Sequence, residues 1–456
     1  MATTTVGQLR EQVRGETITA EDPGYEEARR VYNAMIDRRP SVIVRCAGAD
    51  DVVAAVNFAR ESGLDLAVRG GSHSVPGFGT ADNAVVIDLS RMQAVDVDPE
   101  SRTARGQGGA TWGAFNDATH AHGLATTGGI ISTTGIGGLT LGGGIGYLSR
   151  GFGLSCDNLL SAEVVTADGR TLTASAQANE DLFWALRGGG GNFGVVTSFD
   201  FQLHPVREIY GGPMLYELRD AATVLKFYRD FIRDAPEEFG GFPAWQIAPP
   251  LPFIPEDRHG EPFLIFVACW AGPIEEGEAA LKPFREVAPV VADGVGPMPY
   301  PALNSAFDAL VPPGLQHYWK ANFVKELTDE AIAAHLEHGP KVPVVNSTVH
   351  IYPINGACHR VAPDATAFAY RDANFATVIA GMWPDPAEND DNIAWVRDFY
   401  EATAPHSEEG GYVNFMAGDD QERIKVNYRE NYDRLVDVKR NYDPNNLFHL
   451  NQNIRP

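Results

Sequence analysis

Between residues 50 and 63 the chain sets Val52, Val53, Val56 and Ala59 along one helical face, behind Asp50-Asp51 and ahead of Gly63. That pattern predicts a helix with an acidic start and a glycine stop. Leu64 to Val68 then predicts a short strand running into the loop Arg69-Gly70-Gly71-Ser72-His73-Ser74. Ala84 to Leu89 reads as a strand, Val95 to Gln107 as a hairpin turning at Asp98-Pro99-Glu100-Ser101, and Trp112 to His122 as a helix. Glu180 to Arg187 predicts another helix and Val195 to Leu203 another strand.

The texture changes near His204-Pro205. From about 207 to 407, prolines cluster at 249, 250, 252 and 255, and strand-like stretches such as Pro262 to Trp270 and Val345 to Tyr352 alternate with amphipathic helices. After residue 410 short motif-like segments return, Gly411-Tyr412-Val413-Asn414-Phe415 and Tyr428 onward. The expected organisation is a discontinuous first domain, residues 1–206 with 408–456, and a second domain, 207–407, inserted between its halves.

Glycine, at 47 residues, is clustered, most densely between Gly128 and Gly153. Each glycine in a helix costs about 1 kcal/mol against alanine, so this stretch predicts neither ordinary helix nor strand. It is no flexible linker either, because Ile130, Ile131, Ile136, Leu139, Leu141 and Ile145 are interleaved and seek burial. The pattern points to backbone brought close to something flat or phosphorylated.

Charge narrows the partners. With 36 basic and 60 acidic residues the net charge is −24, which disfavours nucleic acid and anionic membranes. Four cysteines at 46, 156, 269 and 358 contain no C-x-x-C pair and suit a reducing compartment. The stretch Met1 to Glu11 lacks an apolar signal-peptide core, and the longest apolar run, Phe263 to Trp270, is too short to span a bilayer. A soluble, cytoplasmic protein is expected, of unstated oligomeric state. No metal site is expected: His120 and His122 fall on different helix faces, Asp419-Asp420 reads as a solvated loop, and Glu388 to Asp391 as a surface turn.

Gly189 to Gly194 satisfies G-x-G-x-x-G, but a helix precedes it and a strand follows, the reverse of a dinucleotide-binding unit. A Rossmann site is therefore rejected. His73 has a more telling position, at the tip of a glycine turn directly after a strand, where bare amides can cradle a pyrophosphate.

The Arg69 to Ser74 loop, the Gly128 to Tyr147 run, Trp184-Ala185-Leu186-Arg187-Gly188 through Gly194, and the closing Asn431-Tyr432-Asp433-Arg434-Leu435, Tyr442-Asp443-Pro444-Asn445-Asn446-Leu447-Phe448 and Asn451-Gln452-Asn453-Ile454 occur in this order. Together they resemble the berberine bridge enzyme-like branch of the vanillyl-alcohol oxidase superfamily of FAD-linked oxidases. The resemblance covers about residues 35–205 and 410–456, and is loose in the middle third, chiefly at Thr366 to Arg371.

The resemblance implies an α+β fold of two lobes: a PCMH-type FAD-binding domain and an inserted substrate domain with an antiparallel sheet flanked by helices. It implies FAD bound covalently at His73 alone, because Ile131 stands where many relatives carry a second, cysteinyl attachment. It implies cofactor contacts from Arg69, Gly70, Gly71, Ser72, Ser74, Gly129, Thr133, Thr134, Gly137, Gly138, Gly143, Gly146, Val196, Asn451 and Asn453. Ser72 replaces a usual glycine, and Leu139 a histidine near the flavin N1 region. Thr134 matches the position that gates oxygen, where a small residue resembles oxidases.

Tyr428 matches the tyrosine such enzymes place beside the flavin, and Tyr370 a second active-site position. Either phenol needs a nearby cation to act as base, since its ordinary pKa is near 10. Arg371 and Lys425 are candidates for that cation, and a packed structural tyrosine is the alternative at both positions. His350, Tyr352 and His359 are read as strand residues that line the pocket or serve structure. Phe242, Trp245, Tyr318 and Trp319 are further aromatic candidates. The expected activity is hydride removal from a C–H beside an alcohol or amine of a small molecule, with O2 as acceptor and hydrogen peroxide as product. A dehydrogenase of the same fold and a catalytically silent flavin-binding protein stand as alternatives.

Overall fold

The computed structural model describes residues 5–456, apart from the side chain of Gln421; the first residues of the Met1–Glu11 segment lie outside the described residues. Its N-terminal lobe is built on two sheets. In one, Glu16–Ile18, Val42–Arg45, Val85–Asp88 and Leu66–Arg69 lie side by side, the last three parallel. The apolar strands are covered by the helix Ala49–Ser62, whose Val52, Ala55, Val56 and Ala59 are fully buried and whose end is Gly63 at φ 66°. This is the arrangement the 50–63 pattern calls for.

The second sheet is antiparallel, in the order Val95–Asp98, Thr103–Gln107, Val195–Gln202, Leu159–Val165, Thr171–Ser175. Helix Glu180–Leu186 precedes strand Val195–Gln202, so the reversed order that excluded a Rossmann unit is present in the fold. Helix Asn431–Tyr442 packs on Glu180–Leu186, bringing the C-terminal segment back to this lobe.

The other lobe holds an antiparallel sheet whose strands lie between Glu208 and Trp383. Because side chains alternate across a strand, its two faces separate cleanly. Trp245, Leu264, Phe266, Val349, Ile351 and Ile379 enter one core, beneath helices Ala221–Asp234, Gly277–Val287, Asp329–His338 and Asn389–Thr403. Their immediate neighbours Ala244, Ile265, Val267, Tyr352, Val378 and Ala380 turn the other way, toward the glycine-rich lobe. Two lobes therefore meet across the bare face of one sheet.

Several local expectations are corrected. The glycine run does contain helices, Ile136–Leu141 and Ser149–Phe152, since burial of Ile136 and Leu141 outweighs the glycine penalty over so few turns. The predicted strand at 345–352 runs instead from Thr348 to Pro353. Helix Trp112–His120 ends before His122. Glu388 to Asp391 forms the entry to helix Asn389–Thr403 rather than a turn, its acids meeting the positive helix end. Asp419-Asp420 is no solvated loop: Asp420 is buried, 2.8 Å from the Lys320 ammonium. Tyr370 and His359 lie off the strands, His359 in a 3-10 turn where its Nε2 meets the Ala373 carbonyl.

Among the described residues all four cysteines are free and buried, and no helix is long and apolar enough to cross a membrane.

Candidate active site

The loop after strand Leu66–Arg69 carries the first element of the site. Arg69, which the sequence offered as a cofactor contact, lines the cavity between the lobes but commits its guanidinium to the fold. It bonds Asp88 at 2.7 Å and the carbonyls of Ala28 and Arg30. Ser72 adopts φ 66°, the left-handed conformation that a usual glycine would supply more cheaply. The turn is held from outside, as the Tyr32 amide donates to the Ser72 carbonyl at 3.3 Å.

Close approach explains the glycines beside it. A Cβ on Gly71 would sit 2.2 Å from the Gly135 nitrogen, and one on Gly135 would sit 2.4 Å from the Gly71 nitrogen. Two main chains cross here with no room for side chains. Gly138, by contrast, has nothing within 4 Å of its missing Cβ, and neither has Gly191. Both line a cavity of about 390 Å³ that runs between the lobes, in the size range of ligand pockets.

His73 lies at this cavity, half-buried. Its ring stacks on Tyr32, and Thr133 Oγ1 lies 3.0 Å from its Nε2, with Thr134 Oγ1 3.5 Å from Nδ1. Burial lowers its pKa to about 4, which keeps the imidazole neutral and nucleophilic near neutrality. His317, 5.2 Å from Tyr32, is likewise pushed to about 3. Asn33 ties this corner together, donating to the carbonyls of Val75 and His317 and accepting from the His317 amide.

The candidate contacts divide. Gly70, Gly71, Ser72, His73, Ser74, Gly129, Thr134, Gly137, Gly138, Val196 and Asn451 all line the cavity. Thr133 does not, and acts through His73. Gly143 and Gly146 do not either. A Cβ on Gly143 would meet the Phe368 ring at 2.9 Å and one on Gly146 the Gly128 carbonyl, so both serve packing. Asn453 stands outside the lining as well, whereas Asn451 bonds the Gly191 carbonyl through Nδ2 and leaves a buried Oδ1 without a partner.

Tyr428 reaches the cavity but not a cation. Its hydroxyl is buried without a hydrogen-bond partner, and burial raises its pKa far above the ordinary phenol value. Arg371 is locked in a bidentate pair with Asp157, and the Lys425 ammonium lies over the Tyr432 ring. Tyr370 lies outside this cavity, stacked on Phe323, with its hydroxyl given to the Val426 carbonyl. Of the other aromatics, Phe242, Trp319 and Tyr352 face the cavity, while strand alternation sends Trp245 and Tyr318 to the opposite face.

Sequence reading gave no role to Tyr32, Asn33, His317, Gln246 or Asn414. The last lies within the Gly411 to Phe415 segment already visible as motif-like, lines the cavity, and bonds the Leu139 carbonyl at 3.0 Å. Tyr32 and Asn33 carry no local signal, being brought to His73 by the fold alone.

A flat ring with a long phosphorylated tail suits this cradle: open space over Gly138 and Gly191, a buried unpartnered amide oxygen at Asn451, and a neutral histidine at one end. Comparison with known proteins agrees. Residues 40–175 match the family described as "FAD binding domain", and 411–455 the family "Berberine and berberine like". The chain is 32% identical to the uncharacterized FAD-linked oxidoreductase YgaK of Bacillus subtilis (strain 168) over 98% of both chains. It is 31% identical to (R)-6-hydroxynicotine oxidase of Paenarthrobacter nicotinovorans over 97% of both. Among solved structures, 6-hydroxy-D-nicotine oxidase from Arthrobacter nicotinovorans superposes with a TM-score of 0.86 at 26% identity, each chain covered in full. Glucooligosaccharide oxidase of Acremonium strictum shares the fold, with a TM-score of 0.87 at 23% identity over 99% of this chain and 98% of that one. With its glycine-crossed cradle, its two lobes and relatives matched end to end, the chain belongs to the berberine bridge enzyme-like FAD-linked oxidoreductases.

Proposed function

We propose that this protein is an oxidase that carries its FAD on a single covalent bond to His73 and acts on a C–H beside an alcohol or amine of a small organic molecule. The observation that carries the reading is the setting of His73: neutral, stacked on Tyr32, and opening onto a cavity lined in part by bare glycine backbone. FAD, when bound, supplies a two-electron acceptor for the substrate hydride and returns the electrons to O2 as hydrogen peroxide.

The chain's own residues hold and orient. Thr133 Oγ1 holds His73 Nε2 at 3.0 Å, while Thr134 Oγ1 makes only a long 3.5 Å contact with Nδ1, which favours Nδ1 as the nitrogen for bond formation. Gly138 and Gly191 leave open space for a flat ring and its diphosphate. Asn414 Nδ2 spends its two N–H groups on the Leu139 carbonyl and the Tyr412 hydroxyl, which fixes the cavity wall beside Leu139. Thr134, a small side chain in contact with His73 Nδ1, is the residue at the position that favours the approach of oxygen. Apolar walls exclude water from the site.

Support for an oxidase comes also from the relatives, several of which are named as oxidases of amines or sugars. Intact mass of the denatured protein tests the tether: a gain of one FAD, abolished in His73→Ala, is expected. Stopped-flow mixing of the reduced protein with air-saturated buffer tests the acceptor. Fast reoxidation is expected, and slow reoxidation makes the protein a dehydrogenase of the same fold.

A further inference from the structure

The sheet face that closes the cavity is apolar and, unusually for a substrate site, uncharged. Among the described residues no aspartate, glutamate or lysine lines the cavity, and its one arginine, Arg69, is ion-paired with Asp88. The polar side chains on this wall are mostly committed to main chain. Thr348 Oγ1 donates to the Trp245 carbonyl at 3.0 Å, Asn346 Nδ2 to the Leu310 carbonyl at 2.7 Å, and Gln246 Nε2 to the Val345 carbonyl.

One polar pair stands apart. His350 and Tyr352, two residues apart on strand Thr348–Pro353, share the cavity face, and the Tyr352 hydroxyl meets His350 Nδ1. Phe242 packs against both rings, its centroid 4.6 Å from Tyr352 and 5.1 Å from His350. Burial holds the imidazole neutral, its pKa near 3; in the tautomer protonated at Nε2, Nδ1 accepts and the phenol donates.

We propose that Tyr352 and His350 are a proton relay which takes the hydroxyl proton from an uncharged, largely apolar alcohol. The proposal rests on the oxidase reading above and narrows its substrate class. The substrate O–H bond breaks and its proton passes to Tyr352 Oη, while the Tyr352 proton passes to His350 Nδ1. The oxygen electron pair becomes the second bond of the carbonyl as the C–H pair leaves to the enzyme's own oxidant, FAD. Weak basicity of His350 is no obstacle when the hydride departs first, because a protonated carbonyl is a far stronger acid than the alcohol. A protonated amine finds no counter-ion in this cavity, and an anion finds no free cation; burying either unpaired charge is costly. A sugar, ringed by hydroxyls, meets a sheet wall whose Thr348, Asn346 and Gln246 donors are already given to main chain.

The test uses the flavin-loaded protein without oxygen. Cinnamyl alcohol and 4-methoxybenzyl alcohol should bleach the flavin, whereas 4-methoxybenzylamine, 4-carboxybenzyl alcohol and cellobiose should do so at least ~10²-fold more slowly. Tyr352→Phe and His350→Asn, the second keeping an acceptor for the phenol, should each lower the limiting reduction rate ~10²-fold. The dissociation constant for phenol, read from the flavin spectrum, should stay within about threefold of wild type in both, since ring packing is kept. Equal bleaching by the charged compounds or cellobiose, or none by the two alcohols, overturns the substrate class. Unchanged reduction rates in both variants, or losses confined to phenol affinity, overturn the relay. A protein that holds no flavin refutes the oxidase reading instead, and is recognised at once by its lack of colour.

Discussion

The Tyr32 ring lies face to face with the His73 imidazole, centroids 3.7 Å apart and planes inclined by 23°. With Thr133 at Nε2, this fixes the imidazole on two sides, so its orientation precedes any ligand. Stacking of this kind is worth about 0.5–1.5 kcal/mol beyond area burial. Tyr32→Ala is therefore expected to lower the fraction of protein bearing covalent flavin, and Tyr32→Phe to preserve it. Intact mass at equal expression and riboflavin supply measures both; equal labelling in Tyr32→Ala would show that the stack is irrelevant to attachment.

Gly71 and Gly138 should respond in opposite ways. Gly71→Ala puts a methyl 2.2 Å from the Gly135 nitrogen, backbone against backbone, so melting temperature and flavin content should both fall. Gly138→Ala meets no protein atom and replaces glycine in a helix, a gain of up to about 1 kcal/mol. Flavin-free Gly138→Ala should melt at or above the wild-type temperature yet retain less flavin. Normal flavin retention would place the cofactor elsewhere.

Lys439 and Asp443, fully buried, clasp the C-terminal turn. The ammonium bonds Asp443 at 2.6 Å and the carbonyls of Asn192 and Phe448, while Asp443 accepts from the Leu447 and Phe448 amides. Lys439→Met strands a buried carboxylate and should destabilise by about 3–5 kcal/mol in denaturant unfolding. Adding Asp443→Asn should recover part of the loss, because an amide carbonyl still accepts and carries no charge. If the double variant is no better than the single one, the uncompensated charge is not the cause.

Buried His317 and His335, with half-buried His350, predict a pH dependence of stability. Burial lowers His317 and His350 to about 3 and His335 to about 4, against about 6.5 in the unfolded chain. Between pH 6.5 and about 4 the unfolded state binds the extra protons, so stability is lost as pH falls through that window and is fully present above it. Each site contributes a slope of about 1.4 kcal/mol per pH unit near pH 5. Urea titrations at pH 7, 6 and 5 on wild type and His335→Gln should show the variant with the shallower slope.

Tyr428→Phe separates two assignments. The resemblance set Tyr428 beside the flavin as base, yet neither Arg371 nor Lys425 reaches its hydroxyl. Its anaerobic flavin reduction should stay within about threefold of wild type. A ~10²-fold fall would restore Tyr428 as base and displace Tyr352.

Local periodicity determined the helix at 49–62, the hairpin at 95–107, the strand Pro262–Trp270 and the helix-before-strand order that excluded a Rossmann unit, since each is a property of neighbours in sequence. Motif order likewise pointed to the family and to the glycine loops that, with His73, line the cavity. It did not determine that Gly143 and Gly146 serve packing while Gly138 faces the cavity, because glycines look alike until something lies against them. Nor did it reveal that Asp420 is buried against Lys320, about a hundred residues away. The meeting of Tyr32 with His73, and the choice of His350 and Tyr352 over Trp245 and Tyr318 for the cavity wall, belong to tertiary structure. Alternation along a strand says that two faces exist; only the packing of helices on one of them decides which face lines the cavity.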